Sequence, residues 1–205
     1  STSRCRGIEM RCAGFVAMAM TAVLTAGVGT AQTAGSRWYP VPARAQYLTG
    51  DSWSDAGTIY RLYGVQSCLR GTSFTNAHGI RRDCGEVSLA MLVALTRDLK
   101  PQCYDAAAHP ASRTVFVFCV AARSEGSGAG SRIDLGTALI ATGFAFAALK
   151  PDGEPVHQPY LVAQNVAQQA KAGLWAFADL PEPNAIILRA LRQRAQASPG
   201  APPSR

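Results

Sequence analysis

The chain has 205 residues, nearly half of them hydrophobic, with 16% charged and a formal net charge of +7. That balance excludes a disordered polyelectrolyte and leaves enough apolar material for a domain with a proper core. The basic excess is compatible with a polyanionic partner, but charge of this size also serves solubility alone.

The first thirty-odd residues read apart from the rest. Arg4, Arg6 and Arg11 precede an uncharged run from Cys12 to about Gly29, and small residues follow at Gly29-Thr30-Ala31 and Gln32-Thr33-Ala34. A basic start, an apolar run and a small-residue exit predict a signal peptide over 1–34. A membrane anchor is the alternative, for which the run is short and rich in small residues. Met10 offers a second start point. The prediction is an exported protein, periplasmic or secreted, monomeric and without a membrane-spanning domain after cleavage. Its domain would cover 35–178, followed by an amphipathic helix and a Ser/Pro/Gly-rich tail over 179–205.

Residues 43–49 and 57–65 alternate as strands do, and an Asp55-Ala56-Gly57 turn joins a short middle segment to the second run. A polar insertion, Arg70–Asp83, comes next; with three Arg and a Phe it reads either as a ligand-contacting lobe or as a solvated loop. Gly85-Glu86 opens a helical pattern with Val87, Met91 and Leu95 on one stripe, and Pro101 follows its end. Strand-like runs surround Cys103 and span Thr114–Ala121, the second rich in β-branched and aromatic residues. After a Gly/Ser loop at 124–131, Asp134 suits the N-cap of a short helix, Leu135–Thr142, stopped by Gly143. Phe144–Leu149 reads as a strand. Pro159 suits the first turn of the next helix, whose apolar stripe is Val162, Val166 and Ala170, with Gly173 at its end. A last amphipathic segment begins near Asn184, with Ile187 and Leu191 on one side and Arg189, Arg192 and Arg194 largely elsewhere. The order is three strands, helix, two strands, short helix, strand, helix. It predicts an α+β fold: a five-stranded OB-type barrel with about three attached helices.

Two of the six cysteines, Cys5 and Cys12, fall in the leader. An even remainder in an exported domain predicts two disulfides, with three connectivities open. The favoured set is Cys68–Cys84 and Cys103–Cys119, each closing a loop of about sixteen residues worth roughly 3 kcal/mol. There is no C-x-x-C, and the histidines are scattered, which speaks against zinc.

The most informative stretches are Thr49-Gly50-Asp51-Ser52 and Arg61-Leu62-Tyr63-Gly64-Val65-Gln66-Ser67-Cys68-Leu69. Farther on come Ile133-Asp-Leu-Gly-Thr-Ala-Leu-Ile-Ala-Thr-Gly-Phe-Ala145 and Gln168-Gln-Ala-Lys-Ala-Gly-Leu-Trp175. In this order and spacing they resemble the thermonuclease (staphylococcal-nuclease-like) domain over about residues 43–176. That family reads D-G-D-[ST], then R-L-x-G-[IV]-D-[ATS]-P-E, and closes on G-[LI]-W. The resemblance implies a calcium ion held by two Asp side chains and a backbone carbonyl, a Glu that activates water, and two Arg on the phosphate. Asp51 falls on the first metal Asp, Arg61 on the first phosphate Arg, Ser67 on the carbonyl donor and Arg113 on the second Arg.

The departures are chemical. Gln66 stands at the second metal Asp and brings no charge, whereas calcium wants several oxygens, carboxylates above all. Leu69 stands at the catalytic Glu and cannot take a proton, a role typically worth about 10²–10⁴ in rate. Ala147-Ala148-Leu149 stands where the family has base-stacking tyrosines. The expectation is lost or much reduced phosphodiesterase activity, no cofactor or a weakly held calcium, and binding of nucleic acid, an anionic polysaccharide or an envelope protein. The alternative is a nuclease cleaving DNA or RNA with a rearranged site, its base drawn from Glu86, Asp83 or His78. Glu86 and Asp83 also read as carboxylates at a helix N-terminus, and His78, His109 and His157 as loop residues. Asp51 and Arg61 stand open between a phosphate clamp and a structural ion pair.

Overall fold

A computed structural model describes residues 37–122 and 132–197. The leader read over 1–34, the Gly/Ser loop and the tail beyond 197 lie outside the described residues. The chain begins with β1 (Tyr39–Pro40), β2 (Gln46–Thr49), β3 (Ser52–Asp55), β4 (Thr58–Leu62) and β5 (Val65–Ser67). A hairpin of β6 (Ser73–Thr75) and β7 (Arg81–Asp83) leads into α1 (Cys84–Leu99). Then come β8 (Gln102–His109), β9 (Thr114–Ala122), β10 (Arg132–Asp134), α2 (Leu135–Ala141) and β11 (Ala145–Ala147). Helices α3 (Gln158–Gln169) and α4 (Pro183–Ala197) complete the described chain.

The fold is α+β: a curled half-barrel sheet with four helices, consistent with an OB-like arrangement. The sheet runs β1-β8-β9-β4-β3-β2, with β10 also on β9. Its β4–β9 pair is parallel among antiparallel neighbours. Pairs β5–β11 and β6–β7 stand apart from it. This exceeds the five strands and three helices expected, because strands of two or three residues carry no readable period.

Local chemistry explains the breaks. The β3–β4 turn places both central residues in the left-handed region, Ala56 at φ 47° and Gly57 at φ 77°, as a two-residue hairpin requires. The run read as one strand over 57–65 is two. At Gly64 φ is +72°, and beyond it β5 leaves the main sheet to pair with β11. Asp83 caps α1 by accepting from the Glu86 N–H at 2.9 Å.

Trp53, Leu62, Val65, Leu92, Val117, Leu135, Leu139 and Ile140 form the main core. On α1 the buried line is Ser88, Leu92 and Thr96, with Met91 and Leu95 packed at its flank. The stripe expected on α3 is on the wrong face: Val162 and Val166 are 58% and 60% exposed, while Tyr160, Gln164 and Ala167 are buried. The reason is specific. Gln164 Oε1 accepts from the Ala147 N–H at 2.8 Å, and Asn184 Nδ2 donates to the Ala147 carbonyl at 3.0 Å. Two buried amides thus satisfy one residue of β11, a task no valine can perform.

The two distant motifs meet in space. The Leu174 N–H donates to the Gly143 carbonyl at 3.0 Å. A Cβ on Gly143 would lie 2.0 Å from the Ala172 oxygen, and one on Gly173 would lie 2.3 Å from the Thr142 oxygen. Neither position admits a side chain.

Both favoured disulfides form, Cys68–Cys84 and Cys103–Cys119. The second joins directly opposed residues of β8 and β9. The first ties the chain after β5 to the first residue of α1 and encloses the β6–β7 hairpin. Among the described residues no helix is long and apolar enough to cross a membrane.

Candidate functional site

A cleft of about 690 Å³ opens over the face of β4 and β9. Parallel pairing sets Ile59 beside Thr114 and Arg61 beside Phe116, and strand alternation turns all four toward this cleft. Asp51, Ser52, Gln66, Ser67, Leu69 and Arg70 line it from the β2–β3 and β5 sides, His109 and Ser112 from the end of β8, and Ile187 from α4.

At the floor lies a closed network. Asp51 is 2% exposed. Arg61 Nε donates to Asp51 Oδ2 at 3.0 Å, and Nη2 approaches the same oxygen at 2.8 Å. Nη2 also donates to Gln66 Oε1 at 2.9 Å. Gln66 Nε2 donates to the Ser67 carbonyl at 2.8 Å. Asp51 Oδ1 accepts from the Ser67 hydroxyl at 3.2 Å and from the Thr49 hydroxyl. Asp51 sits at the end of a tight approach, because the preceding Gly50 lies against Ser88 of α1 with no room for a Cβ. Ser88 in turn accepts from the Cys68 N–H and donates to the Phe144 carbonyl, which fixes α1 against the site.

Asp51 and Arg61 form an ion pair. The pair is one-sided, since the Arg61 side chain remains 37% exposed while Asp51 is sealed. Its Nη1 makes no hydrogen bond among the described residues, and the side chain lines the cleft.

These residues do not fit a calcium ion. Calcium takes six to eight oxygens. Here the one carboxylate has both oxygens engaged by Arg61, Thr49 and Ser67. The Ser67 carbonyl is taken by an amide N–H, and the neighbouring Gln66 oxygen is taken by Arg61. Leu69 also lines the cleft, its carbonyl accepting from the Thr72 hydroxyl at 2.6 Å.

The sequence-chosen residues divide. Asp51, Arg61, Gln66, Ser67 and Leu69 come together. Arg113 is not in the described lining. It ends the 3-10 turn Pro110–Ser112 at φ 50°, and its guanidinium lies over the β3–β4 turn, where a Cβ on Gly57 would be 3.3 Å from Nη2. One residue of strand parity separates it from Thr114, which does face the cleft. Asp83 and Glu86 line a separate depression at the start of α1, with Asp83 also accepting from the Gly71 N–H at 2.7 Å. His78 sits in the β6–β7 turn, exposed. His157 precedes α3 and packs edge-on against Tyr160 and Phe118 instead of standing in a free loop.

Two basic or titratable lining residues, Arg70 and His109, were not among the residues chosen for the site, although Arg70 belongs to the insertion read as a possible ligand-contacting lobe. Arg70, exposed, stacks its stem on Gly85 and enters the cleft from the disulfide-bonded insertion. His109 closes β8, with Nδ1 2.9 Å from the Ser112 hydroxyl. Its signal was proximity to Arg113 in His109-Pro-Ala-Ser-Arg113, which ties the turn to the strand already chosen. No protein-family model matches the chain. Nor does any curated protein. The thermonuclease resemblance therefore rests on the sequence motifs alone.

Proposed function

We propose that this is an exported, thermonuclease-like domain of OB type that has lost metal-dependent hydrolysis and binds a polyanion in the cleft, nucleic acid foremost. The carrying observation is the state of Arg61. Its inner edge is spent on Asp51 and Gln66, which hold the guanidinium in one orientation, while the side chain stays partly exposed at the cleft. A pre-oriented guanidinium can meet phosphate oxygens without first losing its freedom. Arg70 adds a second, exposed cation at the same cleft. The strand order β2-β3-β4-β9-β8 supports the OB-type part of the reading, and the two disulfides support an oxidising compartment.

The test measures binding and cleavage together. The disulfide-bonded protein is titrated with labelled single-stranded DNA and RNA, with calcium or EDTA. Binding weakened by Arg70→Ala, and no cleavage, is the expected result. Undiminished affinity in Arg70→Ala and in Arg61→Lys would remove the cleft as the binding site. A Gln66→Asp/Leu69→Glu variant, which restores the acidic pair, reports whether the scaffold still accepts a phosphodiester.

A second reading has one observation in its favour, the His109 imidazole on the same cleft as Arg61. In that case His109 would serve as the base of a phosphodiesterase without metal. EDTA-resistant RNA cleavage that disappears in His109→Ala would establish it.

A further inference from the structure

Helix α4 leaves the domain from the wall of the cleft. Its root is fixed: Pro183 and Asn184 are buried, Asn184 bonds to Ala147, and Ile187 lines the cleft. From Arg189 to Ala197 every residue is exposed. At the helical rise this free half reaches about 14 Å beyond the packed turn. Over Pro183–Ala197 the helix holds three arginines, Arg189, Arg192 and Arg194, and no Asp or Glu. Among the described residues none of the three makes a salt bridge.

Two ordinary roles fall short of this pattern. Cations near a helix C-terminus complement its dipole, which accounts for Arg194 in the last turn but not for Arg189 near the middle. Solubility would be met by Lys or Glu as well as by Arg. Arginine is this chain's usual cation, 17 of its 20 Lys and Arg residues, so the distinguishing feature is that α4 carries three of them with no Asp or Glu beside them. Guanidinium matches phosphate oxygens in a two-pronged fork that ammonium lacks.

We propose that α4 is the second half of one binding track: a single-stranded nucleic acid seated in the cleft continues onto the helix along Arg194, which shares the side of Ile187, and winds around it to Arg189 and Arg192 on the opposite side. This inference rests on the polyanion reading of the cleft and adds to it a ligand length. A strand that fills only the cleft gains nothing from the helix. A longer strand gains up to three phosphate contacts, each of which releases condensed counterions and steepens the dependence on salt.

The experiment compares the disulfide-bonded protein with an Arg189→Gln/Arg192→Gln/Arg194→Gln variant, whose glutamines preserve helix propensity. Fluorescence anisotropy is read with thymidine oligomers about four and about sixteen nucleotides long, the range of single-strand site sizes for one OB fold. The variant should bind the long oligomer more weakly, with a slope of log affinity against log salt shallower by about 2. It should bind the short oligomer as the parent does, with an unchanged circular dichroism spectrum. Equal affinity and slope on the long oligomer would overturn the track while leaving the cleft intact. An equal loss on both oligomers would also overturn it, because the arginines would then act without regard to length. If the parent binds neither oligomer, the polyanion reading falls, and the track falls with it.

Discussion

The floor of the cleft and the far half of α4 carry guanidinium groups under opposite conditions. At the floor, Arg61 is held by a sealed carboxylate and an amide, and its charge is already neutralised by Asp51. On α4, Arg189, Arg192 and Arg194 stand in solvent with no carboxylate on their helix. The first setting fixes a cation's orientation and leaves only part of it exposed to the cleft. The second leaves whole guanidinium groups in solvent with no fixed orientation. A net charge of +7 does not distinguish them; the distinction lies in what each cation already touches.

Substitution should break the contrast most visibly at the floor. Arg61→Ala strands the Asp51 carboxylate among two hydroxyls, and urea unfolding should show a loss of about 3 kcal/mol, the low end for a broken buried pair because Arg61 is partly exposed. Arg192→Ala should change stability by less than about 0.5 kcal/mol. Similar losses at the two sites would mean that α4 is anchored along its whole length.

Next in size is the anchoring of α3 to β11. Gln164→Leu keeps the volume but leaves the Ala147 N–H buried without an acceptor, at a cost of about 1–3 kcal/mol. Backbone amide exchange at Ala147 should accelerate in step. Unaltered exchange there would show that another acceptor takes over.

The smallest effect concerns Asp83, at the foot of the lobe that carries Arg70. Burial works to raise its pKa, but the N–H groups of Glu86, Gly71 and Gly85 and the Arg70 charge together hold it below the usual carboxylate range. A carboxyl lowered by folding contributes stability that is fully present above its unfolded value, near 3.9, and lost as pH falls through the folded value. Asp83→Ala should therefore cost about 1 kcal/mol at neutral pH, as a lost helix cap does. The two proteins should converge on acidification below about pH 4. A gap that persists in strong acid would assign the effect to packing.

Much of this was legible beforehand where the chemistry is local. Asp83 and Asp134 both sit at helix starts, Gly143 follows the end of α2, and the four cysteines pair as their spacing suggested, whereas Gly173 opens a 3-10 turn after α3 has already ended at Gln169. The α3 face was misread because hydrophobicity was taken as the measure of burial. There a hydrogen bond to β11 and a close fit against α2 outweighed the transfer energy of two valines. Arg113 and His109 were weighed by residue type, yet their placement depends on strand parity at the β8–β9 connection, which no local signal sets. The insertion holding Arg70 left two readings open, because its place depends on the Cys68–Cys84 bridge and on the bonds of Gly71 to Asp83 and Thr75 to Asp179, partners its own sequence does not reveal.

That bridge also governs how the lobe would age outside a cell. The turn Ala77–Ile80 is exposed on all four residues, an inviting target for a protease. A cut there falls inside the loop closed by Cys68 and Cys84, so the fragments stay covalently joined and Arg70 keeps its anchor. Such damage would be silent on a gel run without reductant and would appear as two bands with it. The molecule would tolerate a broken backbone at its most accessible point while the half-barrel beneath remains one piece.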